Sequence, residues 1–201
     1  MKSDPGWLRE LVDAAPDFVA PYRAYRNGRL QAMKQACRVR SGPGSAARLA
    51  AEHAAVARHV AGLLAAVPPG MLAASGATGD WSIVQTIGHM IAAREGLALA
   101  ALLTATGRWP SAAGSVVPGL AGREDVTLPA LHQSLARSQR FIERAALRVA
   151  GHESDPCELD HPLVGHFRCG GWLLFAGVHD LMHLEQLDRL VTTMAIDGTG
   201  E

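Results

Sequence analysis

The sequence predicts an all-α protein, and three observations support this fold class. Alanine is abundant and β-branched residues are sparse, aromatic residues make up only 5% of the chain, and apolar residues recur every three or four positions over long stretches. Glycine, proline, serine and aspartate cluster between these stretches, at residues 41–44, 68–80, 107–125 and 151–171, and mark the breaks. We therefore expect four long helices after an N-terminal part of different character.

The N-terminal part, residues 1–44, is predicted to be a helical extension made of short pieces. Pro16, Pro21 and Gly28 interrupt any longer helix there. Residues 22–40 hold six basic side chains and no acidic one. Such a run can bind phosphate, an acidic partner or a second subunit, but we interpret it as the solvated face of a surface helix.

The first two long helices of the remaining part, residues 45–201, are predicted over about residues 45–67 and 82–106. One apolar stripe at helical spacing defines the first helix: Leu49, His53, Val56, Val60, Leu63 and Val67. The second helix has an apolar face and another face of small residues that includes His89. Two contact faces on one helix imply neighbours on both sides, as in a helix bundle.

The third and fourth long helices are predicted over about residues 128–150 and 171–194. At about 100° per residue, one stripe of the fourth helix collects aromatic, apolar and histidine side chains: Trp172, Phe175, Ala176, His179, His183, Gln186, Leu187 and Leu190. Asp180, Leu184 and Asp188 lie off this stripe. The two histidines are therefore expected to point inward.

His179 and His183 are one helical turn apart, so both imidazoles can reach a single ion. Burying two such rings without partners costs about 1–3 kcal/mol each, so the pair needs hydrogen-bond partners or a cation. Hydrogen bonds to the backbone or to Gln186 would satisfy the rings without a metal, whereas a third ligand would favour a metal site. His89 is the best candidate for that ligand, because the small residues beside it leave room around its ring.

Three motifs carry a family resemblance. The segment WSIVQTIGHM at residues 81–90 is followed by HPLVG at 161–165 and HDLMHLEQL at 179–187. In this order and spacing they resemble the DinB/YfiT-like superfamily, over about residues 45–194. That family has a Trp-Ser start to its second helix, a histidine eight residues after the tryptophan, and a closing HxxxHxxQ on its fourth helix.

The resemblance implies a four-helix bundle with a long crossover connection. Such a bundle is often a homodimer, and it holds one divalent metal ion such as nickel or zinc. By position, its ligands would be His89, His179 and His183. Gln186 could orient a ligand, and His53 could approach the ion as a fourth ligand or a proton shuttle, although both also suit packed core residues. The N-terminal extension lies outside the resemblance and could cap the bundle, cover the site or join a dimer.

The resemblance also implies an activity. Several family members are S-transferases or isomerases that use a low-molecular-weight thiol such as bacillithiol or mycothiol, and others are named as metal-dependent hydrolases. Three neutral imidazoles leave a coordination position open, where an ion can lower the pKa of bound water to about 7 or stabilise a thiolate. We therefore expect a metal-dependent transferase or hydrolase acting on a small molecule. The alternatives are a binding or stress-associated module with a structural or vestigial metal, and a metal-free bundle with a histidine-rich core.

The remaining polar candidates have weaker support. Asp180 and Glu185 lie beside the histidine stripe and are not expected to act as an acid or a base. His161 and His166 lie in the approach to the fourth helix, where we expect a structural role, with contact to substrate left open.

Composition disfavours several other classes. Nineteen basic and nineteen acidic residues give a formal net charge of zero, so we expect no nucleic-acid partner and no binding to an anionic membrane. Three cysteines without CxxC spacing indicate neither disulfides nor a thiolate zinc site, which fits the cytoplasm. Pro68, Pro69 and Gly70 break the longest uncharged stretch, so no membrane span is predicted. Walker and dinucleotide-binding motifs are absent.

Overall fold

The structure is a computed structural model that describes residues 3–75, 81–109 and 119–197. In these ranges the chain forms α1 (Gly6–Leu11), α2 (Pro16–Arg26), α3 (Leu30–Arg40), α4 (Ala46–Ala66), α5 (Ile83–Thr106), α6 (Leu128–Val149), β1 (Pro156–His161), β2 (Gly165–Arg168) and α7 (Cys169–Asp197). A short 3-10 turn at Pro69–Met71 follows α4. The predicted helical fold class is confirmed, and α4 to α7 begin and end within three residues of their predicted limits.

Local signals explain where the bundle helices begin and end. Ser82 caps α5 in a capping box: its hydroxyl accepts the backbone N–H of Gln85, whose side chain accepts the N–H of Ser82. Gly107 ends the same helix at a φ of 61°, which glycine adopts without strain. Thr127 caps α6 through the N–H of Ala130.

The four long helices form a bundle in the ring order α4, α6, α5, α7. α5 packs most extensively against α7 and α6, and α4 packs against α6 and α7. α4 and α5 are therefore diagonal, although they are consecutive in the chain. The first half of α7 is buried nearly all round, because α2 covers a side that α4 and α5 leave open.

The connection between α5 and α6 is the long crossover that the fold class predicts. It returns to the first turn of α5, where the N–H of Gly122 donates to the carbonyl of Gln85 (3.0 Å). α6 then begins near the start of α5, where the side chain of Gln85 donates to Glu124 just before α6 (2.9 Å). Arg94 and Gln139, near the middle of the two helices, are also hydrogen-bonded, so α5 and α6 run in the same direction. Residues 110–118 of this connection lie outside the described ranges.

The N-terminal helices pack on the outside of α7 and α4. Phe18 of α2 lies directly against Gly177 of α7, where the phenyl ring leaves no room for an added methyl group. The carboxylate of Glu52 in α4 accepts the backbone N–H groups of Asp17 and Phe18 at the start of α2. Apolar side chains of this extension therefore belong to the same hydrophobic core as those of the bundle.

Two expectations for the N-terminal part were wrong. Pro21 lies inside α2 and does not interrupt it, because the buried face of the helix outweighs the backbone hydrogen bond that proline removes. The basic residues do not form one solvated face either. Three of the six are in ion pairs within the chain: Arg23 with Asp4, Arg26 with Glu185, and Arg40 with Asp17.

A third correction concerns residues 151–171, which we expected to be an irregular break. They contain a hairpin of β1 and β2, and α7 begins two residues earlier than predicted. The strands pair antiparallel, with His161 opposite Gly165. Gly165 has a φ of 70°, which the turn between the strands requires and which glycine adopts readily. Phe167 of β2 then packs against Trp172 in the first turn of α7, which joins the hairpin to the bundle.

By length and apolar composition, α5 is the one helix in the described ranges that could cross a membrane. Most of its apolar stretch is buried inside the bundle. The core helix of a soluble protein has the same properties, because it is covered by neighbours on several sides.

Candidate metal centre

Three histidines that the sequence singled out meet between α5 and α7. His89 lies in the second turn of α5, and His179 and His183 lie one turn apart on α7. Their ring centroids are 4.5–5.4 Å apart, and one nitrogen from each ring lies within 4.8 Å of the other two. In the part of the chain that the structure describes, they form a group that could hold one metal ion.

The crossover connection orients His89. A methyl group added to Gly122 would lie 2.8 Å from the Cα of Gly88, so this contact leaves no room for a side chain. The close approach brings the carbonyl of Leu120 to His89, whose Nδ1–H donates to it (2.8 Å). The backbone thereby holds the proton on Nδ1 and leaves Nε2 as the free nitrogen.

Gln186 orients His183 in the same way. Its Oε1 accepts the Nδ1–H of His183 (3.1 Å), which is the contact expected of a residue that positions a ligand. The Nε2 of His183 then lies 3.3 Å from the Nε2 of His179. Two outer hydrogen bonds thus direct the Nε2 lone pairs of His89 and His183 into the group.

His179 supplies the observation that best fits a bound ion. Its Nδ1 is buried without a hydrogen-bond partner among the described residues, and its Nε2 faces the unprotonated Nε2 of His183. Burial and the neighbouring imidazoles lower the pKa of His179 to about 3, and burial lowers the pKa of His183 to about 4. Both rings are therefore neutral at pH 7, which is the form that binds metal. Three such nitrogens suit zinc, nickel, copper or iron.

Trp81 forms a wall of the site. Its indole ring lies 4.7 Å from the ring of His89 and 6.5 Å from the ring of His183, to which it is nearly parallel at 14°. Beside it is a surface cavity of about 380 Å³, lined by Ala73, Ser75, Trp81, Ser82, Gln85, Ala121 and Glu124. From the sequence, Trp81 was expected only as part of a helix-start motif, and its place at the site was missed.

His53 and Asp180 belong to a different polar cluster, which is fully buried. The Nε2–H of His53 donates to the carbonyl of Leu173 (2.9 Å), and its Nδ1 accepts from the guanidinium of Arg94 (3.4 Å). The Nε of Arg94 lies 3.3 Å from the carboxylate of Asp180. The structure thus places His53 outside the group of converging imidazoles. Asp180, which we placed off the buried stripe, is buried because α7 has neighbours on several sides.

The other candidates also lie outside the group of three. Glu185 accepts hydrogen bonds from the hydroxyl of Tyr22 (2.6 Å) and the Nε of Arg26 (2.8 Å), so it anchors α2. His161 and His166 both lie on the hairpin, where His161 is half-buried and His166 is exposed.

Comparison with known proteins gives a family. The family model described as the DinB superfamily matches residues 62–187, which is more than half of the chain. This range starts within α4 and includes all three converging histidines. No curated protein and no solved structure matches the chain.

Proposed function

This chain belongs to the DinB superfamily, and we propose on that basis that it is a metalloenzyme. It would hold one divalent ion, nickel or zinc, through His89, His179 and His183. The reaction we propose is S-transfer with a low-molecular-weight thiol, or the hydrolysis of a small molecule.

The convergence of three imidazole nitrogens within 4.8 Å carries this proposal. Leu120 and Gln186 hold protons on the outer nitrogens of two of the rings. Metal-binding histidines commonly have outer partners of this kind. Packing alone would not require three nitrogen atoms to face one another.

The surroundings of the imidazoles favour a catalytic site over a sealed structural one. Three protein ligands leave at least one coordination position for a further group. When bound, the ion supplies Lewis-acid chemistry, which favours the ionised form of a coordinated water or thiol at neutral pH. Trp81 covers one side of the rings, while His179 and His183 keep part of their surface exposed, as an open site requires.

The test uses protein purified without a histidine tag, stripped with a chelator and reloaded with nickel or zinc. Each form is assayed for conjugation of 2-mercaptoethanol with 1-chloro-2,4-dinitrobenzene, and for cleavage of p-nitrophenyl acetate without thiol. Metal-dependent conjugation would support the transferase, and metal-dependent cleavage the hydrolase. The His183→Ala variant should lose either activity. Rates that are independent of metal in both assays would contradict the enzyme.

A second candidate is a binding module that uses basic residues at the start of α3 and within it. Arg29, Lys34 and Arg38 form no ion pair with another described residue, so they are free to contact an acidic partner. This candidate predicts a bound metal without catalysis in either assay. The homodimer and the cytoplasmic location stay predictions from the sequence.

A further inference from the structure

A fourth histidine lies on the same face of α7 as the candidate metal centre. The ring of His161, at the end of β1, lies 4.7 Å from the ring of Phe175 and 6.0 Å from that of Trp172. Phe175 is one helical turn before His179 on the same face, so the ring of His161 packs one turn of α7 away from His179.

The hairpin holds His161 firmly in this position. Phe167 on β2 contacts both Trp172 (5.9 Å) and Phe175 (5.6 Å) between ring centroids. A methyl group added to Gly171 would meet the ring of Phe167 at 3.0 Å, so β2 lies tightly against α7. His161 therefore extends from a packed element, and a side chain on such an element can be positioned accurately.

Hydrogen bonding fixes the tautomer of His161. Its Nδ1 accepts the backbone N–H of Leu163 (3.1 Å), so a neutral ring carries its proton on Nε2. Burial lowers the pKa of His161, which favours the neutral ring at pH 7. No described residue accepts a hydrogen bond from this Nε2–H, and the half-buried ring keeps part of its surface accessible.

We propose that His161 donates its Nε2–H to a negatively charged atom held at the three-histidine site, and so orients the substrate there. The acceptor would be an anionic oxygen or sulfur of the substrate. This inference rests on the proposed function, because an ion at His89, His179 and His183 is needed to hold the anion. It takes up the contact to substrate that the sequence left open for His161 beside its structural role.

The experiment uses cobalt(II) as the metal and azide as the anion, because visible absorption of cobalt reports a change in its ligands. Azide is titrated into the cobalt-loaded full chain and into two variants. His161→Phe keeps a ring against Phe175 but has no N–H group, whereas His161→Gln keeps an N–H near the position of Nε2. We expect the Kd for azide to rise about 10- to 100-fold in His161→Phe. It should remain near the wild-type value in His161→Gln, with cobalt stoichiometry unchanged in both.

Two further variants make the result specific. His166→Phe, an exposed position on the same hairpin, should leave the Kd for azide unchanged. His161→Leu also removes the N–H, but with a side chain of another shape. If His161→Phe does not fold, His161→Leu takes its place in the comparison.

The possible results separate the two proposals. Equal azide affinity in wild type and the variants that lack the N–H would overturn the role of His161 and leave the proposed function intact. A loss in His161→Gln as large as in His161→Phe would attribute the effect to packing, and would also overturn it. Cobalt that does not bind the wild type, or that binds His183→Ala equally well, would overturn both proposals.

Discussion

Gly122 lies directly against the first turn of α5 and Gln85. Its N–H donates to the Gln85 carbonyl (3.0 Å), and a methyl group added to Gly122 would lie 2.6 Å from that oxygen. The crossover connection can approach this closely only because residue 122 has no side chain. Two residues earlier, the carbonyl of Leu120 accepts the Nδ1–H of His89. The orientation of His89 therefore depends on a glycine in another element.

The Gly122→Ala variant should bind zinc about 10- to 100-fold more weakly, because the connection must move away and take the Leu120 carbonyl from His89. Competition with a chromogenic chelator measures the affinity, and circular dichroism checks the helices. Gly62→Ala is the matched control, since an added methyl at this exposed position in α4 meets nothing within 4 Å. Zinc affinity equal to wild type in Gly122→Ala would contradict this role of the connection.

Gln186 gives a second prediction about the outer hydrogen bonds. Gln186→Leu removes the acceptor of the His183 Nδ1–H and should lower zinc affinity about 10- to 100-fold. Gln186→Glu retains an acceptor and should bind zinc at least as well as wild type. Gln133→Leu, an exposed position on α6, serves as the control. If Gln186→Leu matched Gln133→Leu, the hydrogen bond would have no part in metal binding.

The long helices were predictable because their limits are local signals. Ser82 and Gln85 form the capping box of α5, and Gly107 ends it. The hairpin was missed because glycine and proline near it were interpreted as a loop. The alternation of Cys157 and Leu159 with polar residues is the period of a half-buried strand, and this signal could have indicated β1.

The candidate site was predictable only in part. Helical spacing brought His179, His183 and Gln186 to one face. The small residues beside His89 made it a candidate for the third ligand, and the motif resemblance favoured the same residue. The places of Trp81, the Leu120 carbonyl and Asp180 depend on contacts between elements distant in the chain. The periodicity of one helix cannot reveal such contacts.

The buried pair of Arg94 and Asp180 provides a test of core energetics. Asp180→Leu alone leaves the guanidinium of Arg94 buried without its counterion and should cost about 3–5 kcal/mol of unfolding free energy. Arg94→Met combined with Asp180→Leu should cost much less than the sum of the two single variants. Urea unfolding of wild type, the two single variants and the double variant measures these changes.

An exposed pair serves as the control for that cycle. Asp125→Ala, which removes the partner of exposed Arg123, should leave the unfolding midpoint unchanged. Additive effects at residues 94 and 180 would show that the two side chains do not interact.

His53 should make stability depend on pH. Burial and Arg94 lower its pKa from 6.5 to about 3 in the folded chain, so the unfolded chain binds a proton first as the pH falls. The stabilisation is fully present above pH 6.5 and is lost towards pH 3. Between pH 7.5 and pH 5, this residue should account for about 2 kcal/mol of lost unfolding free energy.

The variant for this measurement is His53→Gln, whose side-chain N–H can still donate to the carbonyl of Leu173. Urea unfolding of the metal-free chains at both pH values should give a smaller decrease for His53→Gln than for wild type. Equal decreases in the two chains would show that the pKa of His53 is the same in the folded and the unfolded protein.

The most direct test of the account is the metal content of the chain purified without a histidine tag, measured by inductively coupled plasma mass spectrometry. His89→Ala, His179→Ala and His183→Ala are compared with wild type and with His152→Ala, whose ring lies outside the group. We predict about one divalent ion per chain in wild type and His152→Ala, and a strong loss in the other three. Equal occupancy in wild type and His183→Ala, or a wild-type chain that binds no ion when nickel or zinc is added, would contradict the account.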